Sequence, residues 1–547
     1  MKIRTGRRYE GIPASSAIAM SVMEQSGIRA KIDSCVEYDP KRKLSPGMAV
    51  KAMVGAMHET WKRPPLYHVN NFYRPAPNDI LFGAGVTCES LNDHAIARNL
   101  DSIFDAVPEK VYHECAAVCK RKFGFDSKIR HADATDYPVF VISPEDERKG
   151  AALPAFCGAP KDKRKDLLHY VAAAVTDGDR ILGYCKAYPG GTSDCVINAD
   201  TIEYLKKYSD PLEDTVVADC KLVNSGMIRD MCDSGFGFVS KVPSSFSEKI
   251  RDRIIEKALS SGMNNSSIEG YTTCDTDAET TECGTLRFIA YRSPKGTKRE
   301  MDYLERQGER DAEKLFKVFG KKRFACEADA VSAFGDAMKK HVNSAYIVSG
   351  CPVRIAETVR RNVRGRPPKG SPEQETKVTW KIDVSMEFDE QRATELAHRR
   401  GISVIVTNLP RTSEDSGNPR NGATADAVLQ LYLDQYKVEH SFRLMKSDMG
   451  VSPVFVKMPS RANALLFVVA IATLVSNIID ALIRRSGEGR LKTMKQFYAE
   501  MQNTSVEYHR DGNEMSLVGA KESTNAVCSC MDVLGIDLSS LLETSDG

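Results

Sequence analysis

The chain has 547 residues, of which 42% are hydrophobic and 27% charged. That balance excludes a fibrous or wholly disordered protein and allows three or four domains. Lysine and arginine (76) barely outnumber aspartate and glutamate (74), for a net charge of +2, so no global basic excess marks a nucleic-acid partner and any such role must rest on local patches. The 15 cysteines are scattered without a CxxC pair, a pattern that argues against a zinc knuckle and suits a reducing cytosol. His113, Cys115 and Cys119 fall close together on an expected helix, where buried thiols beside a surface histidine are the reading preferred to a metal site. The basic start, MKIRTGRRYEG, has no apolar segment after it, so no secretory signal is expected.

Residues 1–125 read as a helical domain, a candidate DNA-reading module or a docking domain. Ser45-Pro46 opens one helix through His58, and Asn92 caps another over Asp93 to Ala106. From Ser127 the pattern turns to strands. Lys128 to Ala132 leads into Asp133, and His169 to Val175 and Ile181 to Ala187 flank Thr176-Asp177-Gly178-Asp179, a hairpin turn. A helix over Ile197 to Tyr208, a strand Asp214 to Asp219, a helix Ser225 to Cys232 and a strand Phe236 to Val242 follow. Three strands, helix, strand, helix, strand predicts an α/β fold with a mixed sheet, the grammar of a ribonuclease-H-like core over 126–245.

Residues 246–420 interrupt that core as an α+β insertion domain, which carries the basic run Arg360 to Lys369. The core resumes over 421–490 with a long helix from Thr424 to Lys446, followed by an apolar helix from Arg461. Ser476, Asn477 and Asp480 interrupt the apolar stretch, which favours a buried core helix over a membrane span. Residues 491–547 are a weakly patterned C-terminal segment.

The helix around Glu439 carries the chemistry. Tyr432, Gln435, Glu439 and Lys446 fall along one helical face, with Arg443 one turn beyond Glu439. A solvated face with a Glu439–Arg443 ion pair is the bland alternative. The other reading is phosphodiester chemistry: paired divalent cations about 3.5–4 Å apart need carboxylates from several elements, and cations nearby grip phosphates.

The spacing Tyr432-x2-Gln435-x3-Glu439-x6-Lys446 resembles the Tyr-Arg-Glu-Lys motif of insertion-sequence DDE transposases. His131-Ala132-Asp133-Ala134-Thr135 resembles their strand-one Asp-x-Thr, and Val216-Val217-Ala218-Asp219 their second acid. Leu44-Ser45-Pro46-Gly47, Arg63-Pro64-Pro65-Leu66-Tyr67 and Leu91-Asn92-Asp93-His94-Ala95 look like the long-chain branch of that group. The resemblance implies a DNA transposase that binds terminal inverted repeats, cleaves DNA and transfers strands to target DNA, using Mg²⁺ or Mn²⁺ on Asp133, Asp219 and Glu439. It implies DNA contacts from Tyr432, Gln435, Arg443 and Lys446, a homodimer in the paired-end complex, and a cytoplasmic, nucleoid-associated protein without a membrane. Gln435 departs from the pattern, standing where the group usually has arginine. Asp136 rivals Asp133, and Asp194 rivals Asp219.

Two softer readings remain open. Arg364-Gly365-Arg366-Pro367 resembles an AT-hook core, against a basic linker that touches phosphates without preference. Trp380 is a candidate for stacking on a flipped base, as an aromatic does there in related transposases, against a packed core tryptophan. A transposase-derived DNA-binding protein without catalysis and a ribonuclease-H-like nuclease are the alternative functions.

Overall fold

The computed structural model describes residues 10–59, 68–141, 168–219, 224–242, 248–276, 279–281, 283–339, 345–360, 374–414, 417–448, 454–456, 458–486, 493–510 and 514–537. Contacts divide the chain into two units. The first takes residues 1–246, 280–286 and 407–547; the second takes 247–279 and 287–406.

The first unit opens with helices α1 (Ala14–Gln25), α2 (Ile28–Cys35), α3 (Pro46–Met57), α4 (Asp93–Asp105) and α5 (Pro108–Phe123). Local chemistry starts two of them: the side chains of Ser45 and Asn92 accept hydrogen bonds from Met48 and Ala95, the N-cap contacts the sequence predicts. Cys115 and Cys119 are buried free thiols on α5, and His113 bonds the Tyr204 hydroxyl at 2.8 Å.

The sheet follows: β1 (Ile129–Val141), β2 (Leu168–Asp177), β3 (Leu182–Pro189), α6 (Asp194–Tyr208), β4 (Thr215–Ala218), α7 (Ser225–Asp233) and β5 (Gly237–Lys241). In space the strands run β3-β2-β1-β4-β5. β1, β2 and β3 are antiparallel neighbours, whereas β4 joins β1, and β5 joins β4, in parallel. The helical connections α6 and α7 make those parallel pairings possible, because parallel neighbours need a crossover. The β2–β3 turn closes on Asp177, whose carboxylate accepts from the N–H groups of Asp179 and Ile181.

Between residues 247 and 407, mostly within the second unit, lie α8 (Glu248–Ser261), β6 (Thr272–Asp275), β7 (Gly284–Arg292), α9 (Gly296–Lys321), α10 (Glu327–Met338), β8 (Tyr346–Arg360), β9 (Gln374–Phe388), α11 (Glu390–Arg400) and β10 (Ile402–Thr407). β8 and β9 form an antiparallel pair from Tyr346↔Phe388 to Arg360↔Gln374. One face of that pair packs Ile382, Trp380, Val384 and Met386 onto Leu315, Phe319, Phe324 and Ala330.

The first unit then resumes with α12 (Ala425–Leu433), α13 (Tyr436–Arg443), β11 (Val454–Val456), α14 (Pro459–Ser486), α15 (Met494–Met501), β12 (Thr504–His509), β13 (Glu514–Gly519) and α16 (Lys521–Leu534). β11 pairs in parallel with the far end of β1. The single long helix expected from Thr424 to Lys446 is broken. Gln435 N–H bonds the Tyr432 carbonyl and Lys437 N–H bonds the Asp434 carbonyl, three-residue turns that tighten the helix at this point. Asp434 holds the break by accepting from Gln430 and Lys437. After Arg443 the backbone widens into a π turn over Leu444–Asp448.

α14 is apolar on all sides and lies inside the first unit's core, against α3, α4, α5 and β3. It is long and apolar enough to cross a membrane, yet 94% of its most apolar window is buried in the protein. Each buried Leu, Ile or Val on it contributes about 1.5–3 kcal/mol of hydrophobic stabilisation.

The register of β1 on β4 is pinned by an ion pair. Arg130 donates to both carboxylate oxygens of Asp214, at 3.1 and 3.2 Å, and Thr215 N–H bonds the Lys128 carbonyl at 2.9 Å. Asp214 is 1% exposed, and burial pushes its carboxyl above the usual range even with Arg130 beside it. Replacing Arg130 by methionine would strand that carboxylate, and we expect a loss of about 3 kcal/mol at neutral pH. The loss should shrink in acid, where the stranded carboxyl takes up a proton on folding. Denaturant unfolding at pH 7 and pH 4 checks both, and an equal loss at the two pH values would contradict this account.

Candidate functional site

The site is assembled from β1, β4 and α13. The last paired residues of β1 and β4 are Ala132↔Ala218, so Asp133 and Asp219 are the next residues on two parallel neighbours. Strands so paired lie about 4.8 Å apart, and side chains in register point to the same face. The rival Asp136 falls on the opposite face of β1 from Asp133. The other rival, Asp194, occupies the first turn of α6, where an acid complements the helix dipole.

Two hydrogen bonds strap the Glu439 segment over β1. Gln435 Nε2 donates to the Ala132 carbonyl at 2.8 Å, and Lys446 Nζ donates to the Thr135 hydroxyl at 2.7 Å. The Tyr137 hydroxyl adds a third tie, to the Met445 carbonyl at 2.9 Å. On the strand, the first two straps bracket Asp133; on the helix they bracket Glu439. Val438, Ser441, Phe442 and Met445 are buried beneath the segment, whereas Glu439 and Arg443 are exposed.

The Glu439–Arg443 ion pair of the bland reading does not form: Arg443 approaches His440 Nδ1 at 2.9 Å. Among the described residues no hydrogen bond or ion pair engages Glu439. Tyr432 is half-buried at the end of α12. Gln435 is only 8% exposed, so its amide is spent inside the protein rather than offered to a ligand.

His131, two residues before Asp133 and therefore on the same face, lies against Gln435 at 3.4 Å and is fully buried. Its Nε2 has no hydrogen-bond partner. Burial, with Lys437 nearby, pushes its pKa down to about 4, against the raising effect of Gln435, Asp434 and Asp177. The alternation of β1 points to this residue, although the motif containing it draws attention only to its acid. The break at Asp434–Gln435 is likewise held from the far side: Arg180, at the β2–β3 turn, bonds the Tyr436 hydroxyl at 2.7 Å and pairs with Asp480 of α14. Neither Arg180 nor Tyr436 carries a sequence signal for that contact.

Asp133, Asp219 and Glu439 offer only oxygen donors, the set hard divalent cations take. Among the described residues no three His, Cys, Asp or Glu side chains converge as a ready-made metal site. The two aspartates follow the last paired residues of neighbouring strands, and Glu439 lies on the segment strapped to β1. Trp380 is half-buried in the second unit's core, and its backbone bonds Phe324 in both directions at 2.8 and 2.9 Å, which fits the packed-core reading. Arg364 and Arg366 lie outside the described residues.

A family model described as a domain of unknown function, DUF4277, matches residues 16–117, the stretch from α1 into α5. No curated protein matches the sequence. Among solved structures, the cryo-EM structure of the piggyBac transposase synaptic complex with hairpin DNA is similar over 90% of this chain and 82% of that chain, at 9% identity and a TM-score of 0.41. That score is too low to establish a shared fold.

An unfolded chain titrates its histidines near pH 6.5, so acid favours unfolding through His131. Its contribution to stability is whole above pH ~6.5 and is lost as the pH falls toward ~4, an effect of about 3 kcal/mol. We expect His131→Leu to flatten the pH dependence of unfolding free energy between pH 7 and pH 4. Parallel curves for the two proteins would show that His131 is not the titrating group.

Proposed function

We propose that the chain is a DNA transposase with a ribonuclease-H-like catalytic core. It binds the terminal inverted repeats of its element as a homodimer, cleaves DNA and joins the cut end to target DNA. The observation that carries this reading is the bracketing of Asp133 and Glu439 by the straps Gln435–Ala132 and Lys446–Thr135, with Asp219 beside Asp133 across the β1–β4 pair. The strand order β3-β2-β1-β4-β5 supports it, and so do the motif spacings around the three acids.

In this reading Asp133, Asp219 and Glu439 are the ligands of divalent cations, Mg²⁺ or Mn²⁺. When bound, such cations activate the attacking hydroxyl and stabilise the leaving oxygen. The protein's own part is positional. The paired strands set the two aspartates, and the straps limit how far Glu439 can drift from them. Lys446, held at Thr135 two residues beyond Asp133, and Arg443, on the exposed side of the helix, supply cations for the phosphates of the DNA end. Tyr432 flanks the same helix as a candidate to stack on the strand end. Gln435 supports the helix from below. A second reading, a DNA-binding protein that does not cleave, draws on that neutral amide at a position where the resembling group carries an arginine.

The test is cleavage and joining with duplex DNA from the borders of the coding region, a target plasmid, and Mg²⁺ or Mn²⁺. Asp133→Asn, Asp219→Asn and Glu439→Gln should each reduce product on the order of a thousandfold, since metal-assisted stabilisation amounts to several kcal/mol, while leaving the melting temperature near that of the parent. Full activity in these variants would remove the proposed site. DNA binding by a parent that yields no cut product would favour the second reading.

A further inference from the structure

A second charged feature lies away from the carboxylates, in the helical region. A cleft of about 540 Å³ opens between the segment 39–44, the turn Cys88–Leu91 and the first turns of α4. Its volume falls in the range of ligand-binding clefts. Four cations line it, Lys41, Arg42, Lys43 and Arg98, against two acids, Asp39 and Glu89. Lys41 and Lys43 come from one wall and Arg98 from the other.

The acids are already engaged: Asp39 accepts from the Lys41 N–H, and Glu89 accepts from the Cys88 thiol. Arg42 is held by the Ser102 hydroxyl at 3.0 Å. Among the described residues the side chains of Lys41, Lys43 and Arg98 have no hydrogen-bond or ion-pair partner, and all three are exposed. The neutral donors to Asp39 and Glu89 leave both carboxylates charged, so the lining holds four cations against two anions, a net positive concavity in a chain whose charges otherwise nearly cancel.

The rest of the lining is mostly polar. Thr87 and Ser90 form the capping box of the turn, and Asn92 caps α4 and bonds the Glu89 carbonyl, so the cations supply the cleft's free polar groups. In the wall Asn99 is 2% exposed, spends its amide N–H groups on the Leu44 and Ala95 carbonyls, and leaves Oδ1 without a partner. No large apolar side chain other than Leu44 lines the cleft, so nothing in it selects an apolar ligand.

We propose that this cleft is a binding site for the phosphodiester backbone of duplex DNA, gripped by Lys41, Lys43 and Arg98 without sequence readout. The chemistry it recognises is the phosphate group, and DNA is chosen because the proposed function puts DNA on this protein. The inference rests on that reading for its ligand but not for its residues, none of which belongs to the carboxylate site.

The experiment uses the full chain and a fluorescent duplex of mixed sequence, with affinity measured across a range of salt concentrations. Each phosphate contact adds about 0.9 to the slope of log affinity against log salt. The triple variant Lys41→Ala/Lys43→Ala/Arg98→Ala should weaken binding and reduce that slope by about 2–3, whereas Lys41→Arg/Lys43→Arg should keep both. A triple variant that folds, with an unchanged slope, overturns the cleft while leaving the transposase reading untouched. A parent that binds inorganic phosphate at these residues but no duplex also overturns the proposal, in favour of a small phosphate ligand. A parent that binds neither removes the site altogether.

Discussion

The parallel pairing of β1 with β4 is the constraint from which the candidate site follows. Side chains alternate along a strand, so a slip of one residue would turn Asp219 to the other face and part it from Asp133. Apolar burial alone fixes this weakly, because Val216, Val217 and Ala218 are buried on both faces of β4 and no alternation distinguishes one register from the next. The Arg130–Asp214 fork removes the ambiguity. A planar guanidinium reaching both oxygens of a buried carboxylate has one good geometry, and that geometry sits at the strand start, before the acids emerge at the other end.

The third carboxylate depends on a different device. α14 is buried on all sides, yet three of its polar residues make the contacts that dock its neighbours. Ser476 bonds His58 at the end of α3, Asn477 accepts from Ser441 of α13, and Asp480 holds Arg484 and Arg180. Buried polar groups must be paired to be tolerated, so each fixes an orientation that apolar packing would leave free to slide. α13 is therefore seated on α14 through Ser441, tied to the β2–β3 turn through Tyr436, and strapped to β1 through Gln435. Glu439 rides on a short segment held from three sides.

Much of the scaffold was legible in the sequence because local rules decide it. The apolar runs on either side of the Thr176 to Asp179 turn mark the hairpin β2–β3, and Ser45, Asn92 and Thr424 mark helix starts that the structure reproduces with side-chain caps. The interruptions in α14 were also readable as signs of a buried helix. What escaped reading is long-range. Nothing in residues 430–437 by themselves requires the break after Leu433; it is held by Gln430–Asp434 within the helix and by Arg180 and Ala132 from outside it. The Arg130–Asp214 pair spans 84 residues and has no sequence signature. Trp380 shows the same limit, since only the partner Phe324 reveals which side of its strand is packed.

Gln435 and His131 are best understood together. An arginine at position 435, as in the group this motif resembles, would bring a charge to a site that is 8% exposed, beside an imidazole that burial already keeps neutral and close to Lys437. Another cation there would have to be desolvated or find an acid. A neutral amide avoids that cost, because it can donate to the Ala132 carbonyl while its oxygen faces His131. The helix–strand contact here is a hydrogen bond between neutral groups. It leaves the cations of this segment at Arg443 and Lys446, further along the chain, with Lys446 held at the Thr135 hydroxyl.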